Sequence, residues 1–380
     1  MVGLGSTRLR LPTPANRNSN VWLKLDNLQP SGSFKSRGIG NLMRNAAAST
    51  SRQMHFYSSS GGNAGLACAC AAVSLAAPCT IVVPEPTKPM MIEKMRELGA
   101  TVVQTGSSWF EADAYLRAEL LVKDPAGVYV PPFDHPDIWT GAATLVDELV
   151  DDLVDESVDV HAIVCAVGGG GLLNGLVRGI EKHAAAGIWR GSVPSIVAVE
   201  TLGAESLNAS VRAGEHVTLP AITSIATSLG AVRVCNQTWE YMQRSLPRVS
   251  SGTSGVVQAS GTNEHTNGVN GHTSIDAPSH PEIISVVVSD ADAARAVVRF
   301  AEDARMIVEV ACGAGLAAVY GGSSSSAHGK AARGPESLRG RVGGQMNDDE
   351  WAKTNVVVVV CGGSAVSLDM IADYRATYGV

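Results

Sequence analysis

The sequence predicts an α/β protein in which parallel sheets are flanked by helices. Short apolar segments that suit strands alternate with longer segments that suit helices along most of the 380 residues. Residues 356–360 are an unbroken run of valines, which is typical of a strand buried on both faces of a parallel sheet. An apolar fraction of 45% and a charged fraction of 17% suit a globular chain that is long enough for two domains.

In the first part of the chain, the predicted elements end at residues that favour turns. The strand at residues 79–83 is followed by Pro84, and the helix at residues 90–98 is followed by Gly99. The other strands predicted here are residues 21–25, 55–58, 101–104 and 128–130, and the other helices are residues 64–75, 109–123 and 139–150. This alternation is what parallel strands require, because each needs a long crossover connection.

The alternation continues in the second part of the chain. A buried strand at residues 161–167 runs into four glycines and then into a helix at residues 172–186. Another strand follows at residues 195–200. Ser289 is the predicted N-cap of a surface helix at residues 290–304, because its hydroxyl can accept from a free amide of the first turn.

Two stretches lack the large apolar residues of a packed domain. Residues 250–281 are rich in Ser, Gly, Thr, Asn and His, and residues 321–345 are rich in Gly, Ser, Ala and basic residues. Neither stretch can bury enough apolar surface to offset its ordering entropy. We therefore predict that both are disordered insertions.

Charge, hydropathy and cysteine content exclude several classes of protein. The net charge is -7 and no basic stripe is present, so we expect no nucleic-acid partner. No apolar run is long enough to cross a bilayer, and residues 1–20 lack the apolar segment of a secretory signal. The 7 cysteines are scattered and show no zinc-site spacing, which predicts reduced thiols. Together these features predict a cytoplasmic protein without a membrane partner.

Lys35 lies in a turn of small residues with the sequence PSGSFKSRG at residues 30–38. Three more glycine-rich turns follow at residues 58–65, 168–171 and 361–364. A lysine in a desolvated pocket reaches its neutral form more easily, and the neutral amine is the form that condenses with an aldehyde. We interpret the turns together as a pocket for pyridoxal 5'-phosphate (PLP). They supply an amine, donors for a carboxylate, a phosphate cradle and a partner for the ring nitrogen.

The glycines at residues 168–171 have a second interpretation. A strand, a glycine turn and a helix can also bind a dinucleotide, and Glu200 lies at a suitable distance downstream for a ribose. The pattern lacks the spaced G-x-G-x-x-G, however, and nucleotide binding leaves Lys35 without a purpose. Phosphate binding by the backbone amides at the start of a helix is therefore favoured.

In their order along the chain, these turns resemble those of the fold-type-II PLP enzymes, whose fold is like that of tryptophan synthase β. The resemblance is closest to the eukaryotic L-serine dehydratases and covers residues 22–374, apart from the two polar stretches. It implies a small α/β domain at residues 41–137, inserted into a large PLP-binding domain at residues 1–40 and 138–380. The cofactor is then expected in the cleft between the two domains.

The resemblance also implies roles for single residues. Lys35 is the implied amine for the Schiff base and the general base, and Ser60 is the second catalytic residue. The implied cofactor contacts are Phe34 and Ser228 at the ring faces, Asn63 at the 3-hydroxyl, Gly168, Gly169, Gly170 and Gly171 at the phosphate, and Cys361 and Ser364 in the turn at the ring nitrogen. The implied carboxylate site is Ser60, Gly61, Gly62 and Asn63, with Gly61 where many serine dehydratases carry alanine.

Two segments after the glycine turn resemble the monovalent-cation site of the same enzymes, which usually holds potassium. The implied ligands are Glu200, Ala204, Ser206 and the backbone carbonyls of Leu229 and Ala231. Oxygen ligands suit such an ion, but no spacing rule identifies the site.

The resemblance implies an L-serine ammonia-lyase with L-threonine as a second substrate. The expected products are ammonia with pyruvate or 2-oxobutyrate, and the expected assembly is a homodimer. Other activities on this fold stay open: serine racemase, threonine deaminase and a specialised β-eliminase. A non-catalytic PLP-binding protein is the alternative of a different class, and the intact Lys35, Ser60, Asn63 and Cys361 argue against it.

Overall fold

The structure is a computed structural model that describes residues 20–154, 158–189, 192–246, 279–320, 338–344 and 346–380. Its strands are β1 (Asn20–Lys24), β2 (His55–Ser58), β3 (Cys79–Val83), β4 (Thr101–Gln104), β5 (Gly127–Tyr129), β6 (Ala162–Ala166), β7 (Ser195–Thr201), β8 (Ile283–Val288) and β9 (Asn355–Val359). Its helices are α1 (Lys35–Ala48), α2 (Asn63–Ser74), α3 (Pro89–Glu97), α4 (Trp109–Tyr115), α5 (Pro136–Leu149), α6 (Gly171–Ala185), α7 (Ser206–Ala213), α8 (Asn236–Ser245), α9 (Asp290–Ala304), α10 (Val310–Tyr320), α11 (Leu338–Val342), α12 (Asp348–Ala352) and α13 (Leu368–Tyr378).

The strands form two sheets, and every pairing within them is parallel. The larger sheet has the order β1-β9-β6-β7-β8, and the smaller sheet has the order β4-β3-β2-β5. The valine strand β9 lies between β1 and β6 and is fully buried, as its sequence predicts. The α/β class and the parallel sheets predicted from the sequence are therefore confirmed.

Each sheet has its own apolar core. The core of the larger sheet is built on β6, β7 and β9, and the core of the smaller sheet includes Phe56, Ile81 and Met95. The strands of the smaller sheet all fall within the predicted insert at residues 41–137. The domain boundaries themselves stay a prediction.

Helices α1 and α5 approach each other very closely. A Cβ at Gly38 would lie 2.7 Å from the carbonyl oxygen of Ile138, and a Cβ at Gly141 would lie 2.4 Å from the carbonyl oxygen of Arg37. Only glycine leaves room for backbones at such distances. This contact fixes α1, the helix that begins at Lys35, against α5.

Some elements differ from the sequence predictions. The turn around Lys35 continues into α1, and neither β8 nor α10 was predicted. The helix predicted at residues 109–123 is helical throughout, but it changes from α4 to a π segment, Leu116–Leu120, and a 3-10 turn, Leu121–Lys123.

The two predicted insertions lie mostly outside the described residues, which leave out residues 247–278 and 321–337. Within the second insertion, however, residues 338–342 form the short helix α11, and Leu338 packs into the core of the larger sheet. Of the helices that the structure describes, none has both the length and the apolar character to cross a membrane.

Candidate active site

The turn that carries Lys35 is joined to the turn after β9, which we name the cysteine turn (residues 361–364). The amide of Phe34 donates to the carbonyl oxygen of Cys361 at 3.1 Å. The amide of Gly363 donates to the carbonyl oxygen of Gly32 at 3.0 Å. The hydroxyl of Ser364 donates to the carbonyl oxygen of Ser31 at 3.2 Å. Two turns that are more than 300 residues apart in the chain therefore form one wall.

Lys35 is half-buried and faces that wall. Burial lowers the pKa of its amine from 10.5 to about 8, although Cys361 acts in the opposite direction. Its Nζ donates to the carbonyl oxygen of Pro132 at 2.5 Å and lies 5.1 Å from the centre of the Phe34 ring. The amine is thus much closer to its neutral state near physiological pH than a solvated lysine.

An ion network anchors the first turn of α1. Arg37 donates from Nε and Nη2 to both oxygens of Asp26 at 2.8 Å, and from Nη1 and Nη2 to those of Glu148 at 2.7 Å. Lys24 also pairs with Glu148, at 2.6 Å. Such bidentate arginine pairs fix orientation as well as charge, so the backbone that presents Lys35 is held on both sides.

The donor loop (residues 60–63) lies between β2 and α2 and offers free backbone amides. The amides of Ser60, Gly61 and Asn63 donate to no other residue in the described part of the chain. The amide of Gly62 makes a long bond of 3.3 Å to Oγ of Ser60. Free amides beside a helix start attract anions, which fits the predicted carboxylate site.

Glu309 connects the donor loop to the other turns, and the sequence analysis did not single it out. Its Oε1 accepts from Nδ2 of Asn63 at 3.0 Å and from the amide of Ala365 at 2.7 Å, and its Oε2 accepts from Oγ of Ser228 at 2.5 Å. Oδ1 of Asn63 accepts from the amide of Ser364 at 3.0 Å. Four segments that are distant in sequence therefore meet at one buried carboxylate.

The predicted phosphate cradle, which we name the glycine loop (residues 168–171), lies between β6 and α6. None of its four amides donates to another residue within the described ranges. Gly170 has φ +95°, and a Cβ there would lie 1.9 Å from Oγ1 of Thr238. A Cβ at Gly169 would lie 2.4 Å from the ring of Phe133. A row of free amides in a turn that only glycine can form fits a phosphate group.

Cys361 is buried at the base of the wall formed by the two turns. The adjacent thiol of Cys312 and burial raise the pKa of Cys361 well above its ordinary value. The sulfur is therefore a neutral thiol near pH 7, in agreement with the predicted uncharged partner for a ring nitrogen.

Of the residues predicted to ligate a cation, Glu200, Ala204 and Ser206 lie at the end of β7 and the start of α7. Both oxygens of Glu200 accept backbone amides, from Leu207 and Asn208 at 2.8 Å, and burial raises its pKa to about 8. The hydroxyl of Ser206 is buried without a hydrogen-bond partner among the described residues. The carbonyl oxygen of Leu229 already accepts from the amide of Ala231 at 2.7 Å. In the described part of the chain, no cluster of three or more His, Cys, Asp or Glu side chains could hold a metal.

Comparison with known families identifies the family of this chain. The family described as pyridoxal-phosphate dependent enzyme matches residues 2–260. The chain belongs to this family. The catabolic L-serine/threonine dehydratase of Saccharomyces cerevisiae is 36% identical over 368 residues, which cover 94% of this chain and 86% of that protein. The human protein named serine dehydratase-like is 40% identical over 347 residues, covering 91% of this chain and 86% of that protein.

Solved structures of PLP enzymes share the fold. The fungal L-serine ammonia-lyase from Rhizomucor miehei has a TM-score of 0.75 and 31% identity, covering 99% of this chain and 98% of that chain. Threonine deaminase isoform 2 from Solanum lycopersicum, with 22% identity and a TM-score of 0.69, shows likeness of fold alone. The protein is a fold-type-II PLP enzyme. The group that the glycine loop binds stays a prediction.

Proposed function

We propose that this PLP enzyme is an L-serine ammonia-lyase that converts L-serine to pyruvate and ammonia, with L-threonine as a second substrate. The observation that carries the proposal is Lys35, because burial lowers the pKa of its amine to about 8 and so makes the neutral form accessible near physiological pH. The relatives named L-serine/threonine dehydratase and L-serine ammonia-lyase support the choice of substrate.

Four groups of residues would hold the cofactor and the substrate. Lys35 is the covalent attachment point, and the amides of Gly168, Gly169, Gly170 and Gly171 bind the phosphate. Phe34 and Ser228 flank the ring, Asn63 faces its 3-hydroxyl, and Cys361 faces its nitrogen within the turn that Ser364 completes. Ser60, Gly61, Gly62 and Asn63 bind the substrate carboxylate. PLP supplies the electron sink that makes the α-proton of a bound amino acid acidic.

Lys35 carries the proton in this proposal. In its neutral form, the Lys35 amine would remove the α-proton of the bound amino acid, as a general base with a pKa near the working pH does best. The carbonyl oxygen of Pro132, 2.5 Å from Nζ, is positioned to hold the resulting ammonium group. In the net reaction, the α-proton and the β-hydroxyl leave the amino acid as one water, and hydrolysis of the product then consumes one water and gives the keto acid and ammonia.

A neutral thiol at the ring nitrogen favours elimination over reactions that need a long-lived carbanion. Cys361 stays protonated because its pKa lies well above the ordinary value. It can therefore accept or donate a hydrogen bond but does not place a negative charge beside the ring. A carboxylate in this position would make the PLP ring a stronger electron sink, and the neutral thiol leaves the ring a weaker one. A weaker electron sink suits prompt loss of the β-hydroxyl.

Three further features stay predictions. A monovalent cation at Glu200, Ala204, Ser206, Leu229 and Ala231 is supported by the buried carboxylate and by the partnerless hydroxyl of Ser206. A homodimer rests on the sequence resemblance alone, and a cytoplasmic location rests on the hydropathy and cysteine content of the sequence.

The experiment that tests the activity compares wild type with Lys35→Ala. Keto acid formation is measured from L-serine, D-serine, L-threonine and β-substituted amino acids, with potassium or sodium, and bound PLP is measured by its absorbance. We expect pyruvate from L-serine in wild type and a loss of at least about 1000-fold in Lys35→Ala, because both the attachment point and the general base are removed. Lys123→Ala is the matched control, because Lys123 is exposed and its ion pair among the described residues is with Glu119 on the surface.

Two outcomes would contradict the proposal in different ways. PLP-loaded wild type that leaves L-serine and L-threonine unchanged would retain the fold and overturn the substrate. Racemised serine without pyruvate would identify a racemase.

A further inference from the structure

A buried carboxylate lies directly behind the donor loop. Asp113 of α4 accepts at Oδ1 from the hydroxyl of Ser59 at 2.6 Å and from the hydroxyl of Tyr129 at 2.6 Å. Its Oδ2 accepts from Nε of Arg117 at 2.7 Å. The guanidinium of Arg117 in turn lies 3.8 Å from the centre of the Tyr129 ring. We name these four side chains the Asp113 network.

The network is complete enough to keep Asp113 ionised inside the protein. Burial opposes ionisation, but the hydrogen bonds from Ser59, Tyr129 and Arg117 outweigh it, so the pKa of Asp113 lies below its ordinary value. Charge-assisted hydrogen bonds of this kind are short and strong. The side chain of Ser59 is therefore fixed more firmly than an ordinary buried hydroxyl.

The position of Ser59 makes this network important for the neighbouring loop. Ser59 is fully buried, whereas Ser60, the next residue, is half-exposed and begins the donor loop. The two side chains thus point to different environments. Fixing the hydroxyl of Ser59 on the inner side also fixes the backbone that presents Ser60 and the free amides of Gly61 and Asn63 on the other side.

We propose that Asp113 is a positioning residue for the substrate carboxylate, acting through the hydroxyl of Ser59 on the donor loop. This inference rests on the proposed role of that loop in binding an amino acid. Asp113 itself touches no reacting atom. Its effect is to keep the loop amides aimed at one point, so that binding of the carboxylate does not have to order them.

Ser58, the last residue of β2, provides a matched control next to Ser59. Ser58 and Ser59 are adjacent and both are fully buried, but the hydroxyl of Ser58 has no hydrogen-bond partner among the described residues. Ser58→Ala and Ser59→Ala therefore remove the same atom from the same depth. Only the second variant removes a bond to Asp113.

The test uses the PLP-loaded enzyme with Ser58→Ala, Ser59→Ala and Asp113→Asn. Values of kcat and KM for L-serine are measured, together with bound PLP and the hydrogen–deuterium exchange of the peptide that contains residues 58–66. We expect Ser59→Ala to raise KM about tenfold, with kcat within about twofold of wild type, because one charge-assisted hydrogen bond is lost. Its loop amides exchange faster, and its PLP content is unchanged. Asp113→Asn has a larger effect, and Ser58→Ala matches wild type.

The outcomes separate this inference from the proposed function. If wild type is active and Ser59→Ala equals Ser58→Ala in KM and exchange, the inference is overturned and the function stands. If Ser59→Ala lowers kcat and PLP content together, the network is structural only, which also overturns the inference. If exchange responds as expected but wild type turns over no amino acid, the network positions the loop and the proposed function is wrong.

Discussion

The donor loop and the glycine loop share a local design but are held in different ways. Each follows a parallel strand, precedes a helix and offers free backbone amides. The donor loop is held by polar side chains, through Ser59 to Asp113 and through Asn63 to Glu309. The glycine loop is held by close packing and by the positive φ of Gly170.

The difference matches what each loop is proposed to bind. A phosphate that stays with the enzyme suits a rigid cradle, because its geometry does not change between turnovers. A substrate carboxylate must enter and leave, and hydrogen-bonded side chains allow small adjustments at low cost in free energy. We therefore expect substitutions in the glycine loop to weaken cofactor binding strongly. Substitutions in the donor loop should change substrate binding by smaller amounts.

The largest effect is expected for Gly170→Ala. The new Cβ meets Oγ1 of Thr238 and the backbone must keep φ +95°, which together cost about 3 kcal/mol. The loop can relieve this strain only by moving its amides, so we expect PLP to bind about 100-fold more weakly. Cofactor titration followed by absorbance measures this affinity.

Gly187→Ala is the control for backbone strain alone. Gly187 has φ +68°, but a Cβ there would have no neighbour within 4 Å. We expect its PLP affinity to equal that of wild type. If PLP affinity fell equally in Gly170→Ala and Gly187→Ala, the glycine loop would not be held by packing. The proposed difference between the two loops would then be wrong.

The next effect concerns Lys35, the first residue of α1. Its amine is neutral only above its pKa of about 8, so kcat should rise with pH and level off above that value. At pH 7, one unit below the pKa, kcat should be about one tenth of the plateau. A profile of kcat from pH 6 to 9.5 at saturating L-serine checks this expectation. A flat profile would mean that Lys35 is not the group that limits proton removal.

The smallest effect is expected in the donor loop itself, for Gly61→Ala. A Cβ at Gly61 would lie 2.6 Å from both Oγ1 and Cγ2 of Thr87, but these atoms end a side chain and can shift. We expect KM for L-serine to rise about fivefold, since about 1 kcal/mol of overpacking is partly relaxed. Adding Thr87→Ala should return KM to within about twofold of wild type. If the double variant is no better than Gly61→Ala, the crowding lies elsewhere.

The turns that form the candidate active site could be predicted from the sequence because their sequence signals are local. Glycine runs, a lysine among small residues and a valine strand each occupy fewer than ten consecutive positions. Glu309 and Asp113 gave no such signal, because each looks like an ordinary acidic residue in its segment. Glu309 meets Asn63 across 246 positions of sequence, and only the fold brings them together.

Helix α1 escaped prediction for a related reason. Its sequence contains Gly38 and Gly40, and glycine is among the weakest helix formers. At Gly38 the structure explains this choice, because the carbonyl oxygen of Ile138 occupies the space that a Cβ would need. Tertiary packing therefore decides the conformation of this segment against its local preference. The sequence of β8, IISVVV, is rich in β-branched residues, which favour strands.

The strand order of the larger sheet has a consequence for how the protein is made. Among the described strands, β1, which leads into the Lys35 turn, lies at the edge of the larger sheet and pairs with β9, near the other end of the chain. On the ribosome, all strands of the smaller sheet are available once residue 129 has emerged. The wall beside Lys35, by contrast, needs the cysteine turn, which lies more than 200 residues further along the chain. Glu309, which holds Asn63 of the donor loop, also emerges late. Both the wall and the final form of the donor loop are therefore completed only when the last part of the chain has been made.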